Sequence, residues 1–223
     1  LSFQNGVLDD LSRWPLGFSV PKPVPSIDQR LIELVKFASA TRFVRLFSYV
    51  PGHSVSSVQP SAALLQDVGR SVAAMGVALA SVTRHMPPQN LVWSISNALD
   101  LLPLVPLLSP RKTRPLAARA FENFERRTLP LLDRPRHQII HGDFNANNVL
   151  IESPHAQRVG GVIDFGDLTF GPRVNDLAIA AASHCARPVP GILAVCSGYT
   201  SVTRLLREET DAIFDLICLS KRN

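Results

Sequence analysis

Asp143, Asn148 and Asp164 bracket two short apolar runs, one in QIIHGDFNANNVLI (138–151) and one in GGVIDFGDLTF (160–170). Asn148 offers a neutral carbonyl oxygen and Asp164 a carboxylate. Hard oxygens of this kind suit Mg²⁺, which takes a few protein ligands and completes its shell with water and phosphate oxygens. Asp143 lies in the loop that enters the first run. A carboxylate is a weak base, so the task of Asp143 is to aim a substrate hydroxyl more than to strip its proton. His141, Asp143 and Asn148 meet the spacing His-x-Asp-x-x-x-x-Asn, and Asp-Phe-Gly follows at 164–166. One Asp on the nucleophile, with an Asn and an Asp on metal, is the division of labour in kinase-type phosphoryl transfer.

These side chains need a scaffold. Residues 149–151 and 161–163 read as two strands of a fold-back hairpin turned by ESPHAQRVG. Asn148 then precedes the first strand and Asp164 follows the second, so antiparallel pairing sets them side by side. Upstream, NGVLDDLSRW reads as the end of a helix stopped by Pro15 and Gly17, and PKPVPS as an extended connector. LIELVKF and TRFVRLFSYV form an antiparallel hairpin about Ala38, Ser39 and Ala40, and PGHSVSSVQPS reads as a loop. From Ser61, a plausible cap, Leu64, Val68, Val72, Met75, Leu79 and Val82 mark one face of a long amphipathic helix. A second helix is predicted around 117–127 with Ala120, Phe121 and Phe124 inward. Three more follow in VNDLAIAAASHCA, ILAVCSGYTSVTRLL and REETDAIFDLICLS. The order is α+β, divided near Pro51–Gly52 into a small unit (1–50: helix, two strands and a connecting hinge) and a mainly helical one (51–223) that carries the hairpin.

Composition narrows the classes. The chain has 223 residues, 46% of them hydrophobic, which supports a real core. Its net charge of +5 comes mostly from scattered arginines. No basic run reads as a nucleic-acid tail; arginine's planar fork suits an anionic small molecule. Cys185, Cys196 and Cys218 form no CxxC pair, which argues against a zinc knuckle or a disulfide framework and points to a reducing cytoplasm. The apolar run LDLLPLVPLL is cut by Pro103 and Pro106, so no membrane span is expected. The start lacks a signal-peptide pattern and a methionine, as if the chain began inside something longer. HExxH and GxSxG are absent, which argues against a metal or serine hydrolase.

QIIHGDFNANNVLI, VIDFGDLTFGPRVNDLAIA and VRLFSYVPG together resemble the aminoglycoside phosphotransferase/choline kinase family, nearest to its hydroxylysine kinase-like branch. The resemblance implies a two-lobed, protein-kinase-like fold and transfer of a phosphoryl group from ATP, with GTP as the alternative donor. The acceptor would be the hydroxyl of a small amino-alcohol-like metabolite such as hydroxylysine. It implies Asp143 as the catalytic residue and Asn148 and Asp164 as Mg²⁺ ligands. The Ser48 carbonyl and Val50 amide would meet the base, Ile163 would pack on it, and Trp93 and Asp167 would frame the acceptor. His141 and Asp176 would support the loop. Ser94 replaces an acid that the family usually carries beside the tryptophan.

The family's phosphate lysine and glycine-bearing loop have no counterpart: Lys36 falls on the wrong strand, and Gln4 stands about where relatives carry the lysine's glutamate partner. The small lobe therefore reads as truncated. The chain reads as part of a longer or fused polypeptide, and a catalytically inactive kinase-like binding module is the alternative to an enzyme.

Overall fold

The structure is a computed structural model and describes residues 1–88, 91–92, 94–133, 136–184 and 188–220. Helix α1 (Ser2–Leu11) buries Val7, Leu8 and Leu11. It closes at Leu11, before the expected stop at Pro15 and Gly17. Strand β1 (Pro23–Val24) pairs antiparallel with β4 (Leu46–Phe47). Between them, β2 (Glu33–Phe37) and β3 (Ala40–Val44) form the expected hairpin, with Phe37 opposite Ala40 and Ala38 at φ 54° in the tight turn. This hairpin stands off the core: Leu34, Phe37 and Phe43 are 64%, 75% and 66% exposed. Such faces and edges invite pairing with other chains.

The stretch expected to be a loop after Gly52 is partly ordered. Strand β5 (His53–Ser54) joins the edge of the fold-back hairpin predicted at 149–163, His53 opposite Ile151 and Ser54 opposite Leu150. Two residues are too few to leave an alternating signature. Helix α2 (Ala62–Ala80) matches the predicted amphipathic helix, and the Ser61 hydroxyl accepts the Leu64 N–H at 3.2 Å. By length and composition alone this helix could cross a membrane, contrary to the reading that no apolar run is long enough. Here it is a core helix carrying Gln66, Asp67 and Arg70, with Leu64, Val68, Val72, Met75 and Leu79 almost fully buried.

The proline-rich stretch Ile95–Leu107 winds as 3₁₀ turns. Helix α3 (Arg114–Asn123) follows, then a π-turn over Phe124–Thr128 and the short α4 (Leu129–Leu132). Phe124 is fully buried as predicted; Ala120 and Phe121 are half-buried. Strand β6 (His137–Ile140) then pairs with β9 (Thr169–Pro172), Ile140 opposite Thr169. Between these two lies the expected hairpin, β7 (Val149–Ile151) and β8 (Gly161–Val162), with Val149 opposite Val162. Ser19 continues the sheet beyond β8, donating to the Gly160 carbonyl and accepting the Val162 N–H at 2.9 Å each.

Helices α5 (Val174–Ser183), α6 (Pro188–Thr200) and α7 (Arg207–Ser220) complete the chain. The crossing of α2 and α6 is close because both carry glycine at the contact. A Cβ on Gly69 would strike the Val195 carbonyl, and one on Gly198 the Gln66 carbonyl. Asp67 ties α2 to the hairpin by accepting the Val159 N–H at 2.8 Å, and Gln138 ties β6 to α2 by donating to the Gly76 carbonyl at 2.7 Å. The architecture is α+β, with the β7–β8 hairpin seated on the helical core.

Candidate active site

The loop from β6 to β7 is shaped from behind. Asp176, in the first turn of α5 and 3% exposed, accepts the His141 N–H at 2.8 Å and the Gly142 N–H at 2.9 Å through separate oxygens. Burial pushes its carboxyl upward, opposed by those two N–H donors and by the His141 ring. Gly142 turns the chain at φ 79°, and a side chain there would collide with the Asp167 carbonyl. Only glycine meets both demands cheaply.

His141 is fully buried between Phe144 and Phe165, with ring centroids at 5.5 and 4.7 Å. Its Nδ1 accepts the Asp143 N–H at 3.3 Å, so Nε2 carries the proton and donates to the Ile163 carbonyl at 3.2 Å. Burial holds the imidazole below its ordinary value, which keeps this neutral tautomer. His141 thus couples the loop to the end of β8.

Asp143 emerges next with both oxygens engaged. Asn145 donates to Oδ1 at 2.7 Å and Asn148 to Oδ2 at 2.9 Å. Asn148 also donates to the Asp143 carbonyl at 2.9 Å, so its amide nitrogen is committed and its oxygen is left to face elsewhere. The Asn148 carbonyl accepts the Ile163 N–H at 2.9 Å, which seats Asp164 one residue beyond the hairpin pairing. Asp164 adopts the left-handed region (φ 63°, ψ 70°) and accepts the Gly166 N–H at 3.3 Å. Left-handed backbone costs a non-glycine residue about 1–2 kcal/mol, a strain that the turn's other contacts must offset. The loop thus brings Asp143, Asn148 and Asp164 together. An amide oxygen and a carboxylate flanking one hairpin fit Mg²⁺, with the remaining positions open to water and phosphate.

A cavity lies on each side of this joint. The first, about 440 Å³, is lined by Gln4, Phe47, Ser48, Val50, Ile163 and Asp164, among others. It gathers the three residues predicted to meet a nucleotide base together with one predicted metal ligand. The Ser48 N–H donates to the Lys22 carbonyl and its hydroxyl accepts the Lys22 N–H, so its carbonyl is what it has left for the cleft. The second cavity, about 540 Å³, holds Asp143 with Gly142, Asn145, Ser94, Phe121, Ile179 and Ser183. Asp167 lines neither, and its half-buried side chain sits in the turn after Asp164. Trp93 lies outside the described residues; its neighbour Ser94 does line the second cavity. Lys36 is exposed on β2, opposite Thr41 and remote from the cleft lining.

Several contributors escaped sequence reasoning. Asn145 was hidden in an Asn-rich run, where one amide could not be chosen over another. Ser183, at the end of α5, accepts the Ala146 N–H at 2.9 Å and pins the loop from below. The β6–β9 pair, which frames both motifs, showed no alternation because both strands are short.

Asp164 faces the cleft that holds Ser48, Val50 and Ile163, and Asp143 faces the second cavity, with Asn148 hydrogen-bonded to Asp143; the arrangement suits phosphoryl transfer. The sequence profile described as "Phosphotransferase enzyme family" matches residues 2–205, and the chain belongs to that family. The chain is 25% identical over 214 residues to hydroxylysine kinase of Danio rerio, covering 90% of this chain and 60% of that protein. Among solved structures, a microcompartment-associated aminopropanol kinase superposes with a TM-score of 0.73 at 21% identity, covering 98% of this chain and 70% of that one. An amicoumacin kinase in complex with AMP-PNP, Ca²⁺ and Ami superposes with a TM-score of 0.68 at 16% identity, covering 97% of this chain and 66% of that one. The fold is therefore that of protein-kinase-like small-molecule kinases, and the chain spans less than two thirds of the Danio rerio relative's length.

Proposed function

We propose that this chain is the catalytic part of a small-molecule kinase that moves the γ-phosphoryl group of ATP, or GTP, to a hydroxyl of an amino-alcohol-like metabolite in the cytoplasm. The relatives' names make hydroxylysine the first acceptor to test. The observation that carries the reading is the position of Asn148. Its amide nitrogen holds Asp143 while its backbone carbonyl fixes the strand that delivers Asp164. One residue therefore sets the spacing between the hydroxyl-aiming carboxylate and the metal-side carboxylate.

In this reading residues 1–50 and 51–223 meet at the hinge, and the base enters between Ser48, Val50 and Ile163. Asn148 Oδ1 and the Asp164 carboxylate would hold Mg²⁺, which supplies charge neutralisation on the transferring phosphate. Asp143, held by Asn145 and Asn148, aims the acceptor hydroxyl entering from the second cavity and accepts its proton. His141 stays neutral and structural.

The test is transfer of labelled phosphate from Mg·ATP to hydroxylysine and simple amino alcohols. Transfer should fall by roughly 10²–10⁴ in Asp143→Asn, the usual contribution of a positioned proton acceptor. A second reading, a nucleotide-binding module without transfer, is favoured by the exposure of Lys36 on β2. Mg²⁺-dependent nucleotide binding with no transfer to any acceptor would select it.

A further inference from the structure

Gln4 makes a contact that the proposed mechanism does not use. It projects from α1, which is anchored by the buried Val7, Leu8 and Leu11 and by the paired hydrogen bonds of Arg84 to Asp10 at 2.6 and 3.0 Å. Its Nε2 donates to the Gly166 carbonyl at 2.8 Å, across 162 residues of sequence. Gly166 in turn donates its N–H to Asp164 Oδ1 at 3.3 Å. Gly166 is therefore gripped at its carbonyl by α1 and at its amide by the metal-side aspartate. The other end of the Gln4 amide, Oε1, is sealed from solvent and has no hydrogen-bond partner among the described residues. Gln4 also lines the cleft that contains Asp164.

We propose that Gln4 is a positioning residue that locks the Asp164 turn to α1. The proposal rests on the phosphotransferase reading for the role of Asp164. The contact needs a side chain that donates an N–H to the Gly166 carbonyl. The orientation is fixed by chemistry, because the reversed amide would set oxygen against the Gly166 carbonyl. A glutamate would do the same with added charge.

Gln4→Glu and Gln4→Met, made in the full chain, test this. The Met variant keeps length and removes both polar atoms without adding charge. In the ligand-free protein, amide hydrogen exchange at Gly166 and Asp167 should accelerate about ten-fold in both variants, the equivalent of one hydrogen bond. Exchange in the buried segment of α2 should not change. In AMP-PNP titrations, the Mg²⁺ concentration for half-maximal binding should rise about ten-fold in Gln4→Met. Affinity for Mg²⁺-free AMP-PNP should stay near that of the unaltered protein. Unchanged exchange at the turn in both variants overturns the proposal, as does an unchanged Mg²⁺ requirement. If the unaltered protein shows no Mg²⁺-dependent binding, the functional reading fails, and the exchange measurement still decides whether Gln4 holds the turn.

Discussion

Replacing Asp176 with asparagine should unhinge the catalytic loop without removing any residue that faces a ligand. The carboxylate spends one oxygen on the His141 N–H and the other on the Gly142 N–H, in a fully enclosed site. Asparagine keeps one acceptor and turns an N–H₂ group toward the second N–H. The loss is one hydrogen bond to a charged group, about 1.5–3 kcal/mol, plus an unsatisfied buried donor at about 1–3 kcal/mol. Relaxation will recover part of this, so a net destabilisation of about 2–5 kcal/mol is expected. With a urea m-value of about 2 kcal/mol/M, the unfolding midpoint should drop by about 1–2.5 M. Gly142 faces the Asp167 carbonyl closely enough that even a Cβ would collide with it. Phosphoryl transfer measured well below the unfolding midpoint should therefore fall along with stability. A midpoint shift equivalent to less than about 0.5 kcal/mol, the ordinary scale of a surface change, would refute the claim that Asp176 shapes this loop.

Gly69→Ala should destabilise the chain by about 1–3 kcal/mol or more, because the new methyl meets backbone of α6 rather than a movable side chain; urea unfolding reads this directly. His184 is buried, donates from Nδ1 to the Ala180 carbonyl at 2.9 Å, and is held down to about 4. The unfolded chain therefore binds the proton first as pH falls through about 6.5, and stability drops from there down to about 4, by at most roughly 3 kcal/mol. In His184→Leu, stability against pH should be flatter across that window; an unchanged slope would show that burial does not hold this ring neutral.

The site was legible because its chemistry is concentrated in two stretches close in sequence, where short spacing leaves little freedom. Asn148 and Asp164 flank strands that pair antiparallel as expected, but one residue out of the expected register, so that Asn148 falls opposite Ile163 rather than Asp164. Ser48, Val50 and Ile163 gather in one cleft. What sequence could not supply were partners chosen by tertiary packing. Gln4 reaches Gly166 and Ser183 reaches Ala146 across long separations, and neither residue type announces such a contact. The long helix from Ser61 was plain because its apolar period runs for many turns. The β5 and β6–β9 pairings were not, because such short strands carry too few alternations. The exposed faces of the β2–β3 hairpin lie beyond pattern reading, since its apolar residues are those a buried strand would have.

The central claim is that Asn148 and Asp164 join one Mg²⁺ to a nucleotide, and calorimetric titration with AMP-PNP at saturating and zero Mg²⁺ tests it most directly. The account predicts that Mg²⁺ tightens binding in the unaltered chain and that Asp164→Asn removes most of that gain, about ten-fold or more in Kd, as for loss of one charged contact. Equal Mg²⁺-dependent affinity in the two proteins would contradict it.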